Sequence, residues 1–102
     1  MKRTKITNKI KDGFSELPFD TEVWLYGSEA RGDARPDSDI DILVLLDKQT
    51  IDADDEDAVF KITYPIELET GVIINPVIRS KKQWESRVTP FRINVEHDRV
   101  ML

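Results

Sequence analysis

Asp39 and Asp41 open an apolar run, with Ile40 between them and Ile42, Leu43, Val44, Leu45 and Leu46 behind. Alternate side chains on a strand share a face, so the two carboxylates point the same way with their Cα atoms about 6.5–7 Å apart. Ile40 and Ile42 point the opposite way. Two carboxylates at the mouth of an apolar strand repel each other and are costly to desolvate unless something positive lies between them. A divalent ion removes that cost. Mg²⁺ takes oxygen ligands, commonly one or two carboxylates, several waters and the phosphates of a substrate. Earlier in the chain, Gly27-Ser28 supplies the complement, because backbone amides at a helix start bind phosphate and glycine lets that phosphate approach closely. Ser28 adds a hydroxyl. Arg31, one turn further on, adds charge or braces the loop. Residues 25–46 therefore read as a place to hold a phosphate and a metal ion.

Each part also has a plainer reading. Gly27-Ser28 alone suits an ordinary helix start, and Asp39-Ile40-Asp41 alone suits a solvated strand entrance. Asp37, Asp39 and Asp41 imitate the first three ligands of a calcium loop, but Ile42 stands where that loop needs glycine and Lys48 where it needs a bidentate glutamate. His97 has no obvious partner and fits a surface or helix-end position better than a catalytic base.

The elements that must position these groups follow in order. Ile6, Ile10, Phe14 and Leu17 form one apolar stripe, which predicts a helix over 4–17 closed by Pro18. Val23, Trp24, Leu25 and Tyr26, bounded by Asp20 and Gly27, predict a buried strand over 21–26. A short helix over 28–31 takes Ser28 as its cap and Gly32 as its stop. Residues 32–38 form a surface loop. The strongest strand follows over 39–46. Asp52, Asp54, Asp55, Glu56 and Asp57 suit the positive end of a helix dipole better than an ion site. The helix after them carries Val59, Ile62 and Ile66 on one face; Pro65 is expected to kink or shorten it, and Gly71 to end it. A third strand spans 72–78, where Pro76 cannot donate to a ladder and so marks an edge or a bulge. Ser80 caps a short helix through Arg87, Thr89-Pro90 starts another reaching about His97, and 99–102 adds a last short strand. There is no internal repeat, low-complexity segment or linker. The expected architecture is one α+β (α/β two-layer) domain over 1–102, a small mixed sheet of about four strands with helices packed on one face.

At 102 residues the chain is the size of one small domain with one hydrophobic core. A formal net charge of -5 argues against general nucleic-acid binding, which needs a basic face. A bound anion therefore requires local help from a metal or a helix terminus. With no cysteine, disulfides and thiolate metal sites are excluded. The basic start Met1-Lys2-Arg3-Thr4-Lys5 lacks the apolar run of a signal peptide, and no stretch approaches the roughly 20 apolar residues of a membrane span. The chain reads as cytoplasmic.

Gly27-Ser28-Glu29-Ala30-Arg31-Gly32, followed by Ser38-Asp39-Ile40-Asp41-Ile42-Leu43-Val44, resembles the nucleotidyltransferase superfamily that includes DNA polymerase β. The likeness is strongest to its minimal bacterial and archaeal members, which are single small domains of about this length. The resemblance implies a nucleotidyltransferase-like fold. It implies that Gly27 and Ser28, with Arg31 beside them, hold a nucleoside triphosphate, ATP by preference. It implies that Asp39 and Asp41 bind Mg²⁺, or Mn²⁺ in its place. The implied reaction moves a nucleoside monophosphate onto a hydroxyl acceptor and releases pyrophosphate.

The family pattern adds a third carboxylate on a neighbouring strand, as metal ligand and general base. The corresponding strand here, 72–78, has no acid, and its only polar side chain is Asn75, which can ligate an ion but cannot accept a proton as a carboxylate does. Glu67 and Glu69, just before it, either reach the site, if the helix ends early, or stand as exposed helix carboxylates. Minimal nucleotidyltransferases also resemble the antitoxin half of a two-gene toxin system, whose partner is a small helical protein. Such antitoxins can modify a tyrosine on that partner. The resemblance therefore leaves two outcomes open, an enzyme and a nucleotide-binding module with weak chemistry.

Overall fold

A computed structural model describes residues 4–17 and 20–102. Its elements are α1 (Thr4–Phe14), β1 (Thr21–Tyr26), α2 (Gly27–Arg31), β2 (Ile40–Leu46), α3 (Ala53–Thr70), β3 (Ile74–Ser80), α4 (Lys81–Ser86), α5 (Pro90–Asp98) and β4 (Val100–Met101). The strands form one mixed sheet in the order β3-β2-β1-β4. β2 runs antiparallel to β1 and parallel to β3, and β4 runs antiparallel to β1. This is the mixed α+β sheet that the pattern of elements predicts.

Burial follows from the alternation along β2. Ile40, Ile42, Val44 and Leu46 face one way and pack with Val23, Leu25 and Ile74 beneath Ile10 and Phe14 of α1 and Val59 and Ile66 of α3. Leu43 and Leu45 face the other way, against Trp84 of α4 and Val95 of α5, with Trp24, Tyr26 and Val77 alongside. The expected packing of helices on one face holds for α1 and α3 and is extended by α4 and α5 on the other. The reason lies in β2, whose residues from Ile42 onward are apolar on both faces, so both faces need cover.

The local signals act as their chemistry requires. Asp52 caps α3 by accepting from Asp55 N at 3.0 Å, while Asp55 accepts from Asp52 N at 3.0 Å, the reciprocal pairing of a capping box. Asp55 is buried and also holds Lys48 Nζ at 2.5 Å. Gly71 ends α3 in the left-handed region at φ 72. Pro65 does not shorten α3, which continues to Thr70 with Val59, Thr63 and Ile66 buried on both sides of the proline. Tertiary packing outweighs one lost hydrogen bond there. β3 begins two residues later than the apolar run, because Val72 N is held by Thr70 Oγ1 at 3.2 Å in the turn out of α3. Ser80 and Thr89 cap α4 and α5 by accepting from Gln83 N and Arg92 N. α1 ends at Phe14 and not at the expected residue 17, because Glu16 N and Leu17 N turn to the carbonyls of Gly13 and Phe14; Pro18 itself lies outside the described residues.

Candidate active site

Asp39 lies immediately before β2, and Asp41 is its second residue. The register sets Asp41 beside Tyr26 on β1 and beside Asn75 on β3. Asn75 Nδ2 donates to Asp39 Oδ2 at 3.1 Å and to Asp41 Oδ1 at 3.3 Å. One amide nitrogen thus bridges the two carboxylates. It sits where a cation would relieve their repulsion, and half a turn of the amide replaces Nδ2 by Oδ1, giving three oxygen-bearing groups on one face. Neither aspartate points into the core, and among the described residues no arginine pairs with either: Asp39 is exposed and Asp41 half-buried. Among the described residues no cluster of three His, Cys, Asp or Glu side chains could hold a metal ion, so the donor set is two carboxylates and this amide. That set suits a hard, oxygen-seeking ion completing its shell with water and substrate oxygens.

Gly27 follows β1 directly with φ 69, and a Cβ built on it would lie 2.9 Å from Asp41 Oδ2. The glycine is needed twice, for its left-handed backbone and for the carboxylate leaning against it. The cap of α2 is Tyr26, with no side-chain cap bond, which corrects the expectation that Ser28 is the cap. The turn starts one residue earlier than a serine-capped helix would. Ser28 is consequently inside the first turn, where no hydrogen bond of its hydroxyl is recorded among the described residues. The first amides of such a turn have no intrahelical acceptor.

Arg31 is placed as a brace. Its Nε donates to Asp33 Oδ2 at 3.3 Å and its Nη1 to Asp98 Oδ2 at 3.1 Å, tying α2 to the end of α5. Those two bonds raise its pKa further. Asp98 is held below the ordinary carboxylate range by His97 first and by Arg31 next. His97 itself is on the surface at the helix end, with Nδ1 3.0 Å from Asp98 Oδ1. Glu67 and Glu69 are both committed outside the site, since Glu67 Oε2 accepts from Ile74 N at 3.1 Å and Glu69 pairs with Lys9.

Sequence reasoning missed Tyr26. Its phenol pKa is raised by burial and then by the charge of Asp41, and its ring meets Phe91 edge-on with centroids 5.9 Å apart. The signal lay in the alternation of β1, which puts Trp24 and Tyr26 on the face opposite Val23 and Leu25, but the partner strand had to be known.

A mixed sheet whose second strand is entered through two carboxylates, with a glycine turn against one of them, is the arrangement the sequence comparison places in a family. The chain belongs to the nucleotidyltransferase domain family, whose sequence model it matches over residues 7–101, and it is by class a nucleotidyltransferase. A Methanocaldococcus jannaschii protein that carries the name protein adenylyltransferase is 35% identical over 82 residues, covering 78% of this chain and 76% of that protein. Solved structures share the fold. One described as a minimal nucleotidyltransferase superposes with a TM-score of 0.64 at 21% identity, over 100% of this chain and 97% of that one. A toxin–antitoxin structure with AMP-PNP gives 0.62 at 22% identity, over 99% and 72%. The MNT antitoxin complex with tri-AMPylated Shewanella oneidensis HEPN toxin gives 0.55 at 20%, over 96% and 66%. No helix among the described residues is long and apolar enough to cross a membrane.

Proposed function

We propose that this chain transfers a nucleoside monophosphate from ATP to a hydroxyl group, releasing pyrophosphate, with a divalent metal held by Asp39 and Asp41. The observation that carries this reading is the pair of carboxylates on one face, bridged by the amide of Asn75 and flanked by Gly27. A bound Mg²⁺ or Mn²⁺ supplies charge neutralisation at the phosphates and a template for in-line displacement. Asp39 and Asp41 hold that charge in place, Gly27 admits the phosphates to the backbone, and Ser28 offers its amide and hydroxyl. Arg31 keeps the turn fixed against α5. With an amide where the pattern has a carboxylate, the acceptor's proton leaves to solvent, so transfer is slow relative to a site with three acids. The name of the Methanocaldococcus relative and the tri-AMPylated state of the Shewanella toxin support ATP as donor and a protein hydroxyl as acceptor.

The test is transfer of label from α-labelled ATP with Mg²⁺ to a tyrosine-bearing acceptor protein. Wild type is expected to transfer label. Asp39→Asn combined with Asp41→Asn should lower the rate at least a hundredfold, and equal rates would refute the metal site.

A second reading, an antitoxin-like module binding a small helical protein, is favoured by one surface. Phe60, Tyr64 and Leu68 recur every fourth residue on the outer face of α3 and are 46%, 65% and 79% exposed. Such a stripe suits docking of another helix. Gel filtration with a candidate small helical protein should show a complex that Phe60→Glu with Leu68→Glu abolishes. If that variant binds as well as wild type, this face is not the interface.

A further inference from the structure

Between Lys11 and Lys48 the chain carries only two basic residues, Arg31 and Arg35. Both stand in the segment that joins the Gly27-Ser28 turn to Asp39 and Asp41, and the structure uses them differently. Arg31 is committed, its guanidinium divided between Asp33 and Asp98 of α5. Arg35 is exposed, and among the described residues its guanidinium makes neither an ion pair nor a hydrogen bond. An arginine held by two carboxylates must exchange those bonds before it can serve another anion, whereas one without a partner gives up only water.

The backbone around Arg35 is fixed. Asp33 N donates to Ser28 O at 3.1 Å, which ties the start of the loop back to the glycine turn. Ser38 N donates to Arg35 O at 3.0 Å, and Arg35 N donates to Ser38 Oγ at 3.0 Å. These two bonds close a four-residue turn with Pro36 at its second position, where a restricted φ favours it. The Cα atoms at the ends of such a turn lie within about 7 Å of each other, and Asp39 follows the turn directly. Arg35 is therefore pinned between Ser28 and Asp39. Arg79 and Arg87 also make no ion pair among the described residues, but they stand elsewhere. Arg79 is four residues beyond Asn75 on β3, about 13 Å along the strand, and Arg87 follows α4.

We propose that Arg35, in place of Arg31, is the arginine that holds the terminal phosphates of the donor. This rests on the transferase reading and deepens it by one residue. A net charge of -5 repels a triphosphate at long range, and one divalent ion leaves a triphosphate with negative charge to spare, so the protein must add a cation beside the metal. A guanidinium meets two phosphate oxygens at once through parallel hydrogen bonds. Gly27-Ser28 claims those phosphates in the transferase reading, and the bond from Asp33 N to Ser28 O keeps Arg35 only two residues from the same turn. Arg31 thus shapes the turn, and Arg35 binds what the turn holds.

Calorimetric titration with AMP-PNP in Mg²⁺, paired with thermal melts of the ligand-free protein, separates the two arginines. Arg35→Ala should lower AMP-PNP affinity at least tenfold with no change in melting temperature, because its side chain holds nothing in the empty site. Arg35→Lys, which keeps the charge and loses the fork, should recover part of that affinity. Arg31→Ala should lower the melting temperature, as expected of a brace. In the label-transfer assay the loss in Arg35→Ala should fall on KM for ATP more than on kcat, since the phosphates are bound before and during displacement. AMP-PNP affinity within twofold of wild type in Arg35→Ala would overturn the assignment, and so would a melting temperature that falls along with the affinity. If wild type itself binds no AMP-PNP, the transferase reading falls too; if wild type binds it and transfers label while Arg35→Ala binds equally well, only the role of Arg35 is lost.

Discussion

Asn75 occupies the position where a third acid is expected, and its Nδ2 donates to both carboxylates. Asn75→Asp therefore has opposite effects on stability and on rate. In EDTA three acids share one face, and the melting temperature should fall by several degrees, about 4–8 °C for each kcal/mol in a domain of this size. Mg²⁺ should restore it. With metal present, the label-transfer rate should rise about a hundredfold, the lower end of what a positioned general base contributes. A rate no higher than wild type would show that position 75 does not face the acceptor. Of the site, the residue types were legible: Gly27, Asp39, Asp41 and the lack of an acid at 75 could all be read from the chain. The contacts were not. Arg31 finds Asp98 from the far end of the sequence, and no local spacing encodes that pair.

Among the elements, α3 shows how a helix start can be fixed by acids. Of the acidic cluster at its start, Asp52 caps the helix, and Asp55 returns the bond while holding Lys48. The hydrogen bond from Lys48, opposed by burial and aided by Asp52 N–H, keeps the Asp55 carboxyl below its ordinary range. Because the native pKa is depressed, this contribution is complete above the unfolded carboxylate value near 4 and is lost as pH falls through the lower native one. Thermal melts of wild type and Asp55→Asn should differ by a constant amount from pH 7 to about 5 and draw together as the pH falls below about 4. A gap as wide at pH 3 as at pH 7 would mean that the Asp55 charge contributes nothing. The existence and order of the elements were largely legible because each has a clear period or cap, and Pro76 marked β3 as an edge or a bulge, of which the sheet order makes it the edge. Pro65 misled, since the cost of a proline is local and the packing of Val59, Thr63 and Ile66 is not.

For the whole molecule, the decisive quantity is a net charge of -5 facing a polyanionic donor. Long-range repulsion acts against ATP unless charge is neutralised at the site itself. ATP affinity should therefore drop at least tenfold when Mg²⁺ is replaced by EDTA, and Asp39→Asn with Asp41→Asn should abolish that dependence. Metal-independent binding of equal strength would place ATP elsewhere.

The outer edge of β3 carries a different consequence. Ile40 N donates to Ile73 O, so in this parallel pairing the odd-numbered residues of β3 serve the sheet and the even-numbered ones look outward. Of the outward groups, Ile74 N is stopped by Glu67, Pro76 has no N–H to give, and the carbonyl of Ile78 is covered by Arg79. An incoming β-strand would find three of the hydrogen-bonding groups of this rim taken or missing. Strand addition along β3 is thereby disfavoured, in the way natural sheet edges guard against pairing with another chain.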